Sequence, residues 1–327
     1  MEYTYLGRTG LKVSRLVLGT MNFATYTDEA ESHRIMDAAL DAGINFFDTS
    51  NGYGGDGNKG GTERIIGNWF AKGNNRRERV VMATKVYHDT QEAIDGPNGG
   101  VGLSAFRIRR HIEGSLKRLQ TDHIELYQMH HIERHATWDE LWGVFESLVD
   151  QGNVYYVGSS NFPAWYLMQA QQAAKERHFL GLVSEQHRFS LTCRLPELEV
   201  LPATSVLGIG LIAYSPLGGG LLTGSVLNPA PGSRGERMAK MLSDAQRKQL
   251  EDYSALCREI GESESNVALA WLLHNPSITA PIIGPRTVEQ LNDALHALEI
   301  TLTDDVLARL DEIFPGPGGA APEAYAW

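Results

Sequence analysis

Four side chains of different chemical type fall just past short apolar runs. Asp48 follows Phe46-Phe47, Tyr53 sits in the turn Asn51-Gly52-Tyr53-Gly54, Lys85 follows Met82-Ala83-Thr84, and His130 follows Tyr127-Gln128-Met129. Each alone reads blandly: an Asp there caps a turn, a Tyr among glycines is a surface residue, and a Lys at a strand end is solvated. Together they suggest proton chemistry. An ammonium beside a phenol favours phenolate, and a carboxylate keeps that ammonium charged and aimed. The expectation is a Tyr53 hydroxyl that titrates below the ordinary phenol value of about 10. An adjacent imidazole could polarise a carbonyl oxygen or help relay the proton. Carbonyl reduction needs such a donor together with a source of hydride.

Such residues need strands to carry them. Eight short runs, apolar on both faces, supply candidates: 16–18, 44–47, 80–83, 124–127, 154–157, 181–183, 210–213 and 281–283. Amphipathic stretches lie between them. Asp28 to Ala42 carries Ile35, Met36, Ala39 and Leu40 at helical spacing, and Ser104 to Leu119 does the same with Ser104 as N-cap. Thr137 to Val149 opens with a Thr-Trp-Asp-Glu capping box, Pro163 stands in the first turn of the next helix, and Thr287 to Leu298 follows the last run. Strands alternating with helices imply a parallel sheet with right-handed crossovers. Eight units favour an α/β fold of the (β/α)₈ TIM barrel type, preceded by a hairpin in which Tyr3–Leu6 and Leu11–Val13 flank a turn. Two long irregular segments, His88 to Gly102 and Leu217 to Lys240, follow strands and belong on the C-terminal rim, where barrel enzymes build their sites. The reading is a single domain over 1–327, with a tail from about Phe314 extended and loosely held.

Composition removes other classes. At 42% hydrophobic and 21% charged residues, neither disorder nor a fibrous repeat is expected. A net charge of −11 with no basic block argues against nucleic acid as a partner. There is no apolar run of about 18 residues for a membrane helix, and Met1 to Gly10 has no apolar core of a signal peptide. Cys193 and Cys257, far apart, fit a reducing cytoplasm. His131 and His135 have the i, i+4 spacing of metal ligands, but no third ligand accompanies them and the stretch reads as loop, so no metal is expected. Neither Gly218-Gly219-Gly220 nor the Gly54 to Gly61 cluster ends as a P-loop does.

The segments Phe46-Phe47-Asp48-Thr49-Ser50, Tyr53-Gly54, Ala83-Thr84-Lys85-Val86 and Leu126-Tyr127-Gln128-Met129-His130 resemble, in order and spacing, the tetrad segments of the aldo-keto reductases. The likeness runs from Leu6-Gly7 to about Leu310. It implies that Tyr53 is the general acid, that Lys85 and Asp48 lower its pKa, and that His130 orients the substrate carbonyl. It also implies NADP(H) lying extended across the barrel mouth. Ser160, Asn161 and Gln186 would hold the nicotinamide carboxamide, Tyr214 would stack on the ring, and Ser215, Leu217 and Gly219 would follow the pyrophosphate. Gly284, Arg286 and Gln290 would form the adenosine 2′-phosphate site, where a guanidinium suits a phosphate. Asp293 and Ala294 occupy the stretch in which the family often has an adenine-contacting Asn, and Phe189 stands where many members have Tyr. The loop from Tyr53 to Glu63 is longer than the common form and would either flank the substrate or be a solvated turn. His131 is read as a rim residue near a small-molecule carbonyl substrate. Thr121 to Ile132, Lys59 to Glu63 and Gly158 to Asn161 further resemble the deoxysugar branch, which implies a reductase of nucleotide-linked 4-keto-6-deoxyhexoses. Channel β-subunits, which bind NADP(H) as regulatory subunits, resemble the family too. A homo-oligomer is left open.

Overall fold

The computed structural model describes residues 1–90, 96, 98 and 100–326. Part of the segment His88 to Gly102 therefore lies outside the described residues.

The hairpin forms first in the chain: β1 (Tyr3–Tyr5) pairs antiparallel with β2 (Lys12–Ser14), Tyr3 opposite Ser14. Eight further strands then close a parallel barrel: β3 (Val17–Gly19), β4 (Phe46–Asp48), β5 (Val81–Val86), β6 (Ile124–Met129), β7 (Val154–Ser160), β8 (Leu182–Arg188), β9 (Gly210–Tyr214) and β10 (Ile278–Ile283), with β10 returning to β3. Each of the eight apolar runs falls on one of them. The barrel is closed and helix-covered because side chains alternate across every strand. Val17, Phe46, Val81, Ala83, Leu126, Val183, Ile212 and Ala280 fill the inside. The other face of each strand meets the helix layer, where Phe47, Met82, Tyr127 and Val157 pack among the buried faces of the helices.

That layer comprises α1 (Glu29–Asp41), α2 (Gly61–Phe70), α3 (Ala105–Leu119), α4 (Trp138–Asp150), α5 (Ala164–Glu176) and α6 (Val200–Leu207). After β9 come α7 (Arg234–Ala239), α8 (Asp244–Ile260) and α9 (Glu264–His274), and after β10 come α10 (Val288–Leu295), α11 (Asp304–Ile313) and α12 (Glu323–Ala326). Short polar side chains start most of them: Asp28 accepts from Glu31 N–H, Ser104 from Arg107 N–H and Thr287 from Gln290 N–H.

The hairpin plugs the N-terminal end of the barrel. Leu6 and Val13 join the interior cluster. Gly7 has a φ of +55°, and a Cβ there would lie 2.7 Å from Gly208 O and 2.8 Å from Gly210 N, so only glycine lets the hairpin seat this deeply. Arg8 donates to Leu207 O at 2.6 Å and Leu180 O at 2.5 Å, and Arg15 donates to Ile278 O and Thr279 O at 2.7 and 2.8 Å.

Several local readings are corrected. Thr137 does accept from Glu140 N–H, but the Glu140 carboxylate turns away from the cap and accepts Ala105 N–H at 2.9 Å, so the capping box is half made and serves the start of α3. Pro163 is the N-cap of α5 rather than a residue of its first turn. The loop after Tyr53 ends at Gly60, because Gly61, Thr62 and Glu63 already belong to α2. The stretch 217–240 contains a 3₁₀ turn at Gly218–Thr223 and α7. At the tail, Phe314 is buried against Tyr253, its carbonyl accepts from Arg194, and Ala321 N–H reaches Leu198 O.

Candidate active site

The C-terminal ends of β4, β5 and β6 carry the four reactive residues, and their register places them side by side. Asp48 is the last residue of β4 and is aligned with Ala83 of β5; Lys85 is aligned with Gln128 of β6, two residues before His130. Past β4 the backbone keeps following β5, with Thr49 N–H on Ala83 O and Asn51 N–H on Lys85 O, before Tyr53 N–H closes on Ser50 O. That path swings the Tyr53 ring over the strand ends.

Lys85 is fully buried, and its Nζ makes three bonds: to Asp48 Oδ2 at 2.6 Å, to Thr49 O at 2.8 Å and to Tyr53 OH at 3.2 Å. Burial alone would lower its pKa, but Asp48 and Tyr53 together raise it, so the ammonium stays charged. The other oxygen of Asp48 accepts from Gln128 Nε2 at 3.1 Å and from Gln186 Nε2 at 2.8 Å. One carboxylate thus joins β4, β5, β6 and β8. Gln128 was not singled out from sequence. Its signal was strand parity, since it shares the inward side with Leu126 and is polar there.

The expectation of a lowered Tyr53 pKa is corrected. Burial is the largest influence and raises it; Lys85 opposes by charge and hydrogen bond, Asp48 adds to the rise, and the net shift is upward. The sequence showed the charges but not the burial. His130 meets the Tyr53 ring edge-on, centroids 5.9 Å apart. Its pKa lies well below the ordinary imidazole value, first through burial, then through Lys85, His88 and His131, so it is neutral at neutral pH. Ser50 Oγ lies 3.3 Å from its Nδ1. His131 stacks parallel on His130 at 5.7 Å, and His88 stands edge-on at 4.5 Å. A shallow cavity lined by Tyr87, His88, His131, Ile132, Arg134 and His135 opens beside this group. His88 was missed, because it falls in the irregular segment after β5. Among the described residues, no group of three or more His, Cys, Asp or Glu could hold a metal.

A second set gathers at the ends of β7, β8 and β9. Asn161 has a left-handed φ of +62°, which Asn tolerates better than most residues. Its Nδ2 donates to His130 O at 3.1 Å and to Ser160 Oγ at 3.0 Å, and its N–H donates to Gln186 O. Ser160 Oγ donates to Gln186 O at 2.9 Å. Tyr214 ends β9, and its hydroxyl reaches Asn161. Ser160, Asn161, Gln186 and Tyr214 are therefore contiguous with the Asp48 group.

The remaining candidates lie further out. Ser215 is left-handed, with φ +53°, and its carbonyl accepts Gly218 N–H; Leu217 O accepts Gly220 N–H, and Gly219 has φ +71°. A Cβ on Gly219 would lie 3.4 Å from Arg234 Nη2, which puts a guanidinium over this turn. Sequence reading missed Arg234, which starts a helix of six residues in the Gly/Pro-rich stretch. On the loop after β10, Gly284 O accepts from Asn22 Nδ2 at 2.7 Å and Gln290 Oε1 accepts Arg286 N–H at 2.9 Å. The Arg286 guanidinium rests 4.4 Å over the Tyr26 ring. Asp293 lies exposed on α10, three residues after Gln290.

The chain's likeness to known proteins matches this geometry. A profile of the aldo/keto reductase family matches residues 15–314. The chain belongs to the aldo/keto reductase family. It is 61% identical over 327 residues to the uncharacterized oxidoreductase YrpG of Bacillus subtilis (strain 168), covering 100% of both chains. Protein tas of Escherichia coli (strain K12) is 30% identical over 347 residues, covering 97% of this chain and 100% of that relative. A probable voltage-gated potassium channel subunit beta of Oryza sativa subsp. japonica is 30% identical over 325 residues, covering 96% of each. As an aldo/keto reductase the chain is an oxidoreductase of a family that uses NAD(P)H on carbonyl compounds. No helix among the described residues of this aldo/keto reductase is long and apolar enough to cross a membrane.

Proposed function

We propose that this chain is an NADP(H)-dependent carbonyl reductase in which Tyr53 is the proton donor. The observation that carries the reading is the Lys85 ammonium held between Asp48 and the Tyr53 hydroxyl in a buried site. When bound, the dihydronicotinamide supplies the hydride. The substrate carbonyl oxygen takes the Tyr53 proton while Lys85 stabilises the phenolate that remains. In the tautomer whose Nδ1 accepts from Ser50 Oγ, 3.3 Å away, His130 carries its proton on Nε2 and orients the carbonyl oxygen as a neutral donor. His131 stands at the substrate side.

The residues present fit a dinucleotide. Gln186 Nε2 is tied to Asp48 while its Oε1 accepts nothing among the described residues, which suits a carboxamide N–H, with Ser160 and Asn161 beside it and Tyr214 as the ring's support. Ser215, Leu217 and Gly219 form a glycine-rich turn suited to a pyrophosphate. Gly284, Arg286, Gln290 and Asp293 would receive the adenosine end. Arg234, over the Gly219 turn, suits the pyrophosphate that NAD(H) and NADP(H) share, while Arg286, on the Tyr26 ring, suits the 2′-phosphate that only NADP(H) carries. This supports NADP(H) over NAD(H).

The test is NADPH turnover over a carbonyl panel that includes free aldehydes and a nucleotide-linked 4-keto-6-deoxyhexose, on wild type and Tyr53→Phe. Turnover that falls about 10²- to 10⁴-fold in the variant, with NADPH still bound, is the expected result. Unchanged turnover in Tyr53→Phe sinks the role of that hydroxyl. Tight NADPH binding with no turnover on any carbonyl would favour a sensor subunit, the reading supported by the 30% identity to a probable channel subunit.

A further inference from the structure

Glu185 is a fully buried carboxylate that the proposed chemistry does not use. It precedes Gln186 on β8, and strand alternation turns it to the opposite face. No Lys or Arg pairs with it among the described residues; its ion-pair partner is His187 Nδ1 at 2.9 Å. Burial raises its pKa, opposed by hydrogen bonds from His187, Ser159 and the Phe162 amide. A carboxylate is costly to bury on these terms, so its hydrogen bonds are informative. Ser159 Oγ donates to Oε2 at 2.5 Å, and Phe162 N–H donates to Oε1 at 3.0 Å. Ser159 and Phe162 are the residues on either side of Ser160-Asn161. The left-handed turn at Asn161 redirects the next amide, that of buried Phe162, straight onto this carboxylate.

We propose that Glu185 is a positioning residue for the nicotinamide carboxamide: by clamping Ser159 and Phe162 it fixes the dipeptide Ser160-Asn161 that meets that amide. This rests on the cofactor reading above. Glu185 touches neither cofactor nor substrate, so its removal loosens one end of the dinucleotide and spares the other.

The test compares binding of NADP⁺ with binding of 2′-phospho-ADP-ribose, the same nucleotide without nicotinamide, by titration calorimetry. In Glu185→Ala, NADP⁺ affinity falls on the order of tenfold, the worth of one hydrogen bond to a buried charge. The affinity for 2′-phospho-ADP-ribose stays at the wild-type value. Glu185→Gln keeps an acceptor for Phe162 N–H and recovers most of the loss. Ser159→Ala removes one tether and shows the same split, more weakly, which keeps the test open if Glu185→Ala does not fold. Equal weakening of both ligands in a folded variant, or of neither, overturns the assignment. A wild-type chain that binds neither ligand removes the cofactor reading and this inference with it, which distinguishes the two failures.

Discussion

The Tyr214 hydroxyl donates to Asn161 Oδ1 at 2.8 Å, while the same side-chain amide donates to His130 O at 3.1 Å. One Asn side chain thus ties the end of β9 to the end of β6 from a position just past β7. Tyr214→Phe keeps the ring and deletes the donor. We expect a loss of roughly 1 kcal/mol in urea unfolding, the usual net worth of such a bond. An unchanged midpoint would show that the bond is not held in solution.

The Lys85–Asp48 pair is buried on both sides, at 0% and 4% side-chain exposure. Lys85→Met leaves Asp48 charged and without its ammonium, and should cost about 3–5 kcal/mol. The double variant Lys85→Met with Asp48→Asn should recover part of that, since the buried charge is gone. A double-mutant cycle in urea reads the coupling directly. Additive losses would mean that the two side chains do not sense each other.

His130 predicts the acid side of the stability profile. Its folded pKa is depressed, so between that value and the ordinary imidazole value the unfolded chain binds more protons than the folded one. Stability from this group is complete above about pH 6.5 and falls as pH drops toward the folded pKa, by up to about 1.4 kcal/mol per pH unit. His130→Gln should flatten that slope in unfolding measured from neutral to mildly acid pH. An identical slope in the variant would assign the acid sensitivity to other groups.

At the adenosine end, Arg286→Ala should raise the KM for NADPH about ten- to a hundredfold and leave that for NADH nearly unchanged. Tyr26→Ala, which removes the ring beneath the guanidinium, should produce a smaller change in the same direction, about two- to fivefold. Tyr26→Phe should behave as wild type. Loss of both cofactors together in Arg286→Ala would deny it a part in choosing between them.

Cys257 lies buried beside Tyr253, and burial pushes its thiol pKa up to about 12. Thiolate is the reactive form, so in native protein Cys257 should react with a disulfide reagent only at the rate of unfolding. Rapid native labelling of Cys257, located by peptide mapping, would show that this packing opens.

Much of this was legible in the residues. The eight strands announced themselves because parallel strands buried on both faces must be continuous apolar runs. Asp48, Lys85 and His130 were legible because each is a polar residue at the end of such a run. The α2 helix was hidden: glycines lead into it, and Gly67 in its middle is required by the close approach of the Arg118 carbonyl, a contact between distant parts of the chain. Glu63 looked like a loop residue, whereas it is fully buried, accepting from Thr84 Oγ at 2.6 Å and from Arg118 Nε at 2.7 Å. The Tyr53 shift was misjudged because burial is a tertiary quantity. Glu140 broke its capping box because the start of α3 offered another amide, which spacing along one helix cannot reveal.

The hairpin seated by Gly7, Arg8 and Arg15 gives the barrel a floor, and a vessel with a floor has one door. The floor serves stability and the opposite rim, where Asp48, Tyr53, Lys85 and His130 stand, serves chemistry. A lesion in the hairpin should therefore register in unfolding, and one at the rim in turnover.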